Sequence, residues 1–492
     1  MISRLLLSLL ISYYAVQANS SSKHKVFQLY PSTADELTEI IKLHNDGEVD
    51  FWKSPSVDNT NVDVMIRPDQ MTWFYNFLNT TQIEHRILVQ DLEKLIDEKE
   101  GPNSVRSRAI RLLSGAKRDD ASAHTFGLIM GEYYGYDDIV AFMRRVNSAI
   151  PNRSRMFSIG KTVEGRDTWA LEFGNVQDRT RPIIWIDGGI HAREWTAIHT
   201  GYYFIQLIAN AILDNRDGTH KQINEVLRIA NIIVLPCANP DGYEYTRTDP
   251  HLVEYRFWRK NFCCISLTFT INMHSRSPTT CKDNQNGERR CCGGVDLNRN
   301  FAFKFATLGT SFHPCSEIFS GTNAFSEPES RNIRDAIINS DFTGRIQALI
   351  TMHAYSQLLI YPYSNKKHFY PPDIADLKSV ARRAADKIGE KFGTHYMIGT
   401  GPEIIYAYTG GSSDWAKETA NIKYTYTIEL RPGFYAWNGF VLDKSQLIPT
   451  ARETFDGVQV IMDAAIKHAQ TTGKVHEGVT TNNGNNFRLS SA

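Results

Sequence analysis

Apolar positions along the first hundred residues fall into short strand-like runs and helical runs. KVFQLYP (25–31) reads as a strand, and TADELTEIIKLHN (33–45) as a capped amphipathic helix. VDFWKSPS (49–56) and NVDVMIRP (61–68) read as two more strands. DQMTWFYNFLNTT (69–81) returns to helical spacing, and EHRILVQD (84–91) closes with a strand. The order βαββαβ predicts a small α/β sandwich over residues 23–100, with no clustered His or Cys and no group that reads as catalytic. A polar, partly helical connector follows, carrying Arg106, Arg108, Arg111, Lys117 and Arg118. From about residue 120 to 470, apolar strands alternate with long helical segments, which predicts a mixed sheet covered on both faces. The polar, Gly/Asn-rich stretch 471–492 reads as a disordered tail.

One run stands out. Ile183, Ile184, Trp185 and Ile186 are continuously apolar, as in a strand buried on both faces. Gly188 and Gly189 then allow a sharp turn, and EWTAIHTGYYFIQLIANAIL has helical apolar spacing. His191 and Glu194 therefore sit where a central strand hands over to a helix. In open α/β sheets, ligands bind there.

At 492 residues the chain is too long for one ordinary domain. Its 54 basic and 54 acidic residues give no global field for nucleic acid or an anionic membrane. Apolar content of 42%, with 8 Trp, 22 Tyr and 25 Phe, suits a globular enzyme. Residues 1–18 read as a signal peptide cleaved after Ala18, and no other stretch approaches the roughly 20 apolar residues of a membrane helix. The mature protein is thus expected to be secreted and extracellular. Sequons at Asn79 and Asn152 fit that route. Seven cysteines lie mostly between 263 and 315, and Cys237, in a strand-like run, is the natural orphan.

His191 and Glu194 are spaced i, i+3 and can face one point. Zinc catalytic sites commonly use two His and one Glu plus an open position. IQALITMHAYSQ supplies a third candidate, His353, at a strand end. On this pattern alone, a metal site and ordinary polar strand ends both remain open. Glu429, late in YTYTIELRPGF, is either a general base or a carboxylate satisfied by Arg431. Arg259 in FWRKN, with Asn298 and Arg299 in GGVDLNRNF, would suit a carboxylate ligand. Tyr406 precedes a Gly-Gly turn, from which its ring can swing over a ligand.

Together these residues resemble the secreted zinc metallocarboxypeptidases of the pancreatic A/B type, the funnelin group, from about residue 23 to 470. The resemblance implies an α/β fold: a mixed eight-stranded sheet flanked by helices, preceded by the small sandwich. It divides the chain into an activation propeptide (19–100), a basic connector with cleavage sites (101–118) and a catalytic domain (119–470). It implies one Zn2+, held by His191, Glu194 and His353, with Asp296 orienting the first histidine. Glu429 would act as general base and acid, and Arg259 would polarise the scissile carbonyl. Asn298, Arg299 and Tyr406 would hold the substrate's terminal carboxylate, while Arg193 and Tyr355 line the cleft for upstream residues. The expected activity is hydrolysis of the C-terminal peptide bond of peptides and proteins, by a monomer released from its zymogen by a trypsin-like protease. The alternative is a catalytically inactive binding protein on the same fold. Such a protein would lose a ligand or the base, and all are present.

Two features depart from the family. The pocket for the leaving side chain maps to Ser364, Gly401 and Ser413. Ser364 and Gly401 match the basic-specific type, but Ser413 stands where that type has an aspartate and the apolar-specific type a branched aliphatic. A neutral pocket preferring uncharged residues is expected, unless Glu403 supplies a charge. The second departure is FCCISLTFTINMHS (262–275), an apolar insert that is either an extra hairpin or an error in the gene product. The resemblance pairs Cys292 with Cys315 in a disulfide; a second bridge between Cys281 and Cys291 is left open, and Cys263 and Cys264 have no evident partners.

Overall fold

The computed structural model describes residues 23–56, 61–101, 126–214, 218–261, 280–283 and 289–473, with only the backbone described for 280–283 and 289–292. The expected signal peptide, most of the basic connector, the 262–275 insert and all but the first three residues of the expected tail lie outside the described residues.

The N-terminal unit has the expected order. Strands β1 (Lys25–Tyr30), β2 (Asp50–Phe51), β3 (Val62–Ile66) and β4 (Glu84–Val89) form an antiparallel sheet in the order β2-β3-β1-β4. Helices Ala34–Asp46 and Met71–Thr81 contribute Ile40, Phe74 and Leu78 to a core shared with Phe27, Val62 and Val64. Thr33 caps the first helix, its side chain accepting from Glu36 N. The second strand is much shorter than the VDFWKSPS run. Trp52 N and Lys53 N both donate to Asp63 O, a local irregularity that ends regular pairing. Both side chains then face the second unit.

That unit is built on strands β5 (Ser154–Lys161), β6 (Asp167–Phe173), β7 (Ile183–Gly188), β8 (Asn231–Leu235), β11 (Ile346–Ser356), β12 (Leu358–Ile360), β13 (Met397–Gly399) and β14 (Tyr424–Gly433). A separate hairpin pairs β9 (Thr280–Asp283) with β10 (Arg289–Cys292). The eight strands run in the order β13-β12-β14-β11-β7-β8-β6-β5. β14, β11, β7 and β8 are parallel neighbours, and antiparallel pairs flank them. The mixed eight-stranded sheet is therefore present.

Alternate residues of β7 feed opposite layers. Ile184 and Ile186 join one core, while Ile183 and Trp185 join the other, and all four are fully buried. Each such side chain contributes roughly 1.5–3 kcal/mol on burial. Helix Trp195–Leu213 is apolar almost all round because it too is covered. Gly189 takes a φ of 68°, and a Cβ there would approach Ile198 Cγ1 to 2.5 Å, so the turn tolerates only glycine. No described helix is long and apolar enough to cross a membrane. The last helix, Leu447–Thr471, ends where the tail was expected to begin.

Candidate metal centre

Three parallel strands deliver their carboxyl ends to one place. β7 leads through Gly188–Gly189 to His191 and Glu194, β11 carries His353, and β14 carries Glu429 as the register partner of His353. Glu194 occupies the N-cap of helix Trp195–Leu213, but its side chain makes no capping bond. Its carboxylate turns inward instead. Glu194 Oε1 lies 2.7 Å from His191 Nδ1, Oε2 lies 3.1 Å from His353 Nδ1, and the two Nδ1 atoms are 3.1 Å apart. Ala354 N donates to Glu194 Oε2 at 3.1 Å, tying β11 to the turn.

This donor set fits a zinc ion. All three ligand atoms lie within 4.8 Å of one another in a buried cluster. Ligands at the usual zinc distances stand about 3.3 Å apart around a tetrahedron, so only small shifts are needed. Two imidazole nitrogens that face each other as well as a carboxylate call for a cation between them. Behind His191, Asp296 Oδ1 lies 3.0 Å from Nε2 and fixes the ring so that Nδ1 faces the cluster.

Asp296 collects charge from several sides. Its Oδ2 accepts from Arg259 at 2.8 and 3.2 Å, and Arg299 approaches to 3.7 Å. Burial alone would push this carboxyl up, but Arg259, Arg299 and His191 hold it well below the usual carboxylate range. Arg259 also stands 3.8 Å from Glu194, and Ala192 N donates to its carbonyl, so the insert beginning at Phe262 leaves Arg259 in the site.

Glu429 has a different setting. Arg431 pairs with Glu453 instead, its Nε donating to Oε1 at 2.7 Å, so the carboxylate-satisfied alternative for Glu429 falls. Burial raises the Glu429 carboxyl above its ordinary range, and the neighbouring Glu194 charge adds to that. A divalent cation in the triad would draw it back down.

Beyond the triad lies a cationic recess. Arg299 donates from Nε to Gly309 O and from Nη1 to Asn298 O, and its Nη2 stands 3.5 Å from Tyr406 Oη. Asn298 Oδ1 accepts from Ser412 N at 3.0 Å, which leaves its NH2 as the donor end. Arg259, Asn298, Arg299, Tyr406 and Glu429 line one cleft with His191 and Glu194.

Ser364 and Gly401 pack together next to Tyr408, which lines the cleft, while Ser413 contacts Thr427 of β14. Ser364 O accepts from Tyr408 N, and a Cβ on Gly401 would meet Ser364 Cβ at 3.1 Å. Ser413 Oγ accepts from Thr427 Oγ1 at 3.1 Å. Glu403 is engaged elsewhere: its carboxylate closes the capping box at Thr400 and accepts from Tyr370 Oη. The nearby Asp414 carboxyl, pushed up to about 7 by burial, accepts from Ser364 N at 2.7 Å.

The opposite wall of the cleft comes from the N-terminal unit, the position the activation-propeptide resemblance implies for it. His44, Phe51, Trp52 and Lys53 line it. Arg193 donates to both oxygens of Asp50, at 2.8 and 2.9 Å, and stacks 4.2 Å from the centroid of Phe440. Trp52 fills a slot between Phe257 and Phe440, with ring centroids 4.9 and 5.4 Å away. Tyr355 closes the slot, edge-on to Phe440 at 5.0 Å. A Cβ on Gly439 would come within 2.3 Å of the Trp52 ring. His44 is kept neutral, its pKa lowered to about 3 by burial and by the charges of Arg299 and Arg259. The resemblance of the unit holding VDFWKSPS to an activation propeptide implied a cap over the cleft, but not which of its residues make the contact.

Cys315 is disulfide-bonded, while the side chain of Cys292, its expected partner, lies outside the described residues. The β9–β10 register sets Cys281 opposite Cys291. Cys237 is free and fully buried, as expected.

A buried His–Glu–His cluster at the carboxyl edge of a parallel sheet, backed by a carboxylate and flanked by cations, is the layout of a metal-dependent hydrolase. The comparisons agree. The profile described as zinc carboxypeptidase matches residues 139–457, and that of the carboxypeptidase activation peptide matches 27–99. Carboxypeptidase B of Astacus astacus is 39% identical over 330 residues, covering 67% of this chain and 95% of that protein. Carboxypeptidase A4 of Mus musculus is 32% identical over 449 residues, covering 90% and 94%. Among solved structures, carboxypeptidase A from Helicoverpa armigera superposes with a TM-score of 0.73 at 25% identity, covering 92% of this chain and 99% of that one. Thrombin activatable fibrinolysis inhibitor gives 0.71 at 25% identity, covering 90% and 99%. The chain belongs to the zinc carboxypeptidase family: it is a zinc metallocarboxypeptidase preceded by an activation peptide, and it acts on peptides.

Proposed function

We propose that His191, Glu194 and His353 hold the zinc, that Glu429 is the general base, and that the recess of Asn298, Arg299 and Tyr406 receives the substrate's free carboxylate. The convergence of the three ligand atoms, with Asp296 behind His191, carries this reading. Zinc supplies Lewis-acid polarisation and acidifies water at neutral pH. Glu429 takes the proton of the attacking water and later returns it to the departing amine. Arg259 donates toward the oxygen on which charge develops. Arg299 and the Asn298 amide grip the terminal carboxylate, so an internal segment of chain has nothing to offer them. One C-terminal residue leaves per turnover.

Ser364, Gly401 and Ser413 are proposed to floor the pocket for the leaving side chain. Ser364, Gly401 and Ser413 carry no charge themselves, Glu403 is engaged by Thr400 and Tyr370, and burial pushes the Asp414 carboxyl up to about 7, which favours uncharged residues. The enzyme is read as a secreted monomer whose prodomain covers the cleft until a trypsin-like protease cuts the basic connector. The test is direct. The purified zymogen, treated with trypsin, should release uncharged C-terminal residues fastest from a peptide library and contain one zinc per chain. Glu429→Gln should lower kcat by about a hundredfold or more, and undiminished turnover in that variant would end the reading.

A further inference from the structure

The prodomain touches the cleft with more than Asp50 and Trp52. The Lys53 ammonium sits 4.1 Å from the centroid of Phe434 and 5.7 Å from that of Tyr435. These two rings stand edge to face, 5.2 Å apart at 84°, and make an aromatic corner on the loop after β14. Phe434 lines the same cleft as the metal triad. Lys53 is itself buried at 5% exposure, and its neutralising partners all come from its own domain. Asp63 Oδ2 lies 3.6 Å away and Asn61 Oδ1 accepts at 2.8 Å. The catalytic unit thus contributes π faces, and the acid leaves with the prodomain.

After activation the corner remains without its cation. Tyr435 is already 79% exposed and Trp437 50%, an unusual amount of solvent-facing aromatic surface beside a peptide-binding groove. Aromatic faces attract cations through the ring quadrupole, and guanidinium groups stack on them especially well. Resting on the carboxypeptidase reading above, we propose that Phe434 and Tyr435 form a subsite for a basic side chain upstream of the scissile bond, and that Lys53 stands in for that side chain in the zymogen. Preferred substrates would then be peptides with Lys or Arg some residues before an uncharged C-terminus. This subsite is separate from the pocket for the leaving residue, which receives a different side chain on the far side of the scissile bond.

Trypsin-activated enzyme would be assayed on peptides sharing one uncharged C-terminal residue. Arginine, its neutral isostere citrulline, norleucine or glutamate would be walked through the upstream positions. At one position arginine should lower KM about three- to thirtyfold relative to citrulline, the range of a partly desolvated cation on two rings, with kcat little changed. In Tyr435→Leu and Phe434→Leu that ratio should fall toward one, and Tyr435→Phe should keep it, since the phenyl face suffices. Equal KM for arginine and citrulline at every position would overturn the subsite while leaving the carboxypeptidase reading intact. Failure to release any C-terminal residue would instead sink that reading. A preference for norleucine over arginine would also refute the proposal, because it marks the corner as a purely apolar site.

Discussion

Two parts of the prodomain interface work by different physics. At the cleft, Asp50, Trp52 and Lys53 engage Arg193, the Phe257–Phe440 slot and the Phe434–Tyr435 corner. Arg193 is expected, and the Phe434–Tyr435 corner is proposed, to meet upstream substrate residues in the mature enzyme. Away from the cleft, buried and half-buried charge pairs join a seam where Leu92, Leu95 and Ile96 also pack into the catalytic domain's core. Arg256 makes a bidentate pair with Glu100, both bonds at 2.7 Å, with both side chains almost fully buried. Lys99 meets Asp443 at 3.1 Å, and His24 bridges Glu93 of the prodomain to Glu254 of the catalytic unit. The first set is a plug that must leave; the second is a latch that holds the plug in register. The contrast teaches that the inhibiting surface need not be the strongest surface.

The sharpest way to break this division is at Glu100. Glu100→Ala should strand the buried guanidinium of Arg256 and destabilise docking by about 3–5 kcal/mol. Differential scanning calorimetry of the zymogen should show it, together with premature hydrolysis of a short substrate. Asp50→Asn should be milder, about 1–3 kcal/mol for a charge-assisted pair left half-made. It should raise zymogen activity by freeing Arg193 while leaving the melting profile nearly unchanged. If Asp50→Asn unfolded the interface and Glu100→Ala did not, plug and latch would have to be exchanged.

Zinc removal separates the two regions differently. A chelator should abolish hydrolysis by the activated enzyme but leave the zymogen's domains docked, because neither Arg256 nor His24 touches the triad. Hydrogen exchange at Asp50–Lys53 and Lys99–Glu100 in the uncut zymogen, with and without chelator, checks this.

The smallest effect is the pH dependence of the latch. Burial lowers the pKa of His24, but Glu254 and Glu93 outweigh it and the net value lies above 6.5. A raised histidine contributes stability that is fully present below 6.5 and fades as pH rises through the folded value. Docking should therefore weaken from neutral to mildly alkaline pH, and His24→Gln should flatten that slope in urea titrations at several pH values.

Much of the catalytic unit was legible beforehand because periodicity and position coincide there. A continuous apolar run such as Ile183–Ile186 can only be a strand covered on both faces, and two glycines after it mark where the chain must turn. Strand ends marked His191, Glu194 and His353 as candidates, and the family resemblance implied that they hold zinc. Glu429 did not resolve in the same way, since Arg431 sits two residues away and only the fold shows it turned toward Glu453. Glu403 was ambiguous for a related reason: the capping box that engages it depends on a short helix beginning at Gly401. The plug was the least legible. Its partners lie some 140 to 390 positions from Asp50, Trp52 and Lys53, and nothing local to VDFWKSPS distinguishes a strand that docks from one that faces water.

Gly439 links latency to later evolution. With the indole of Trp52 seated where its first carbon branch would be, even alanine at this position would clash with the ring and loosen the prodomain's seat before cleavage. A methyl group lacking from one loop therefore acts as a safety margin. Lineages that dispense with a pro-form would be free to fill it.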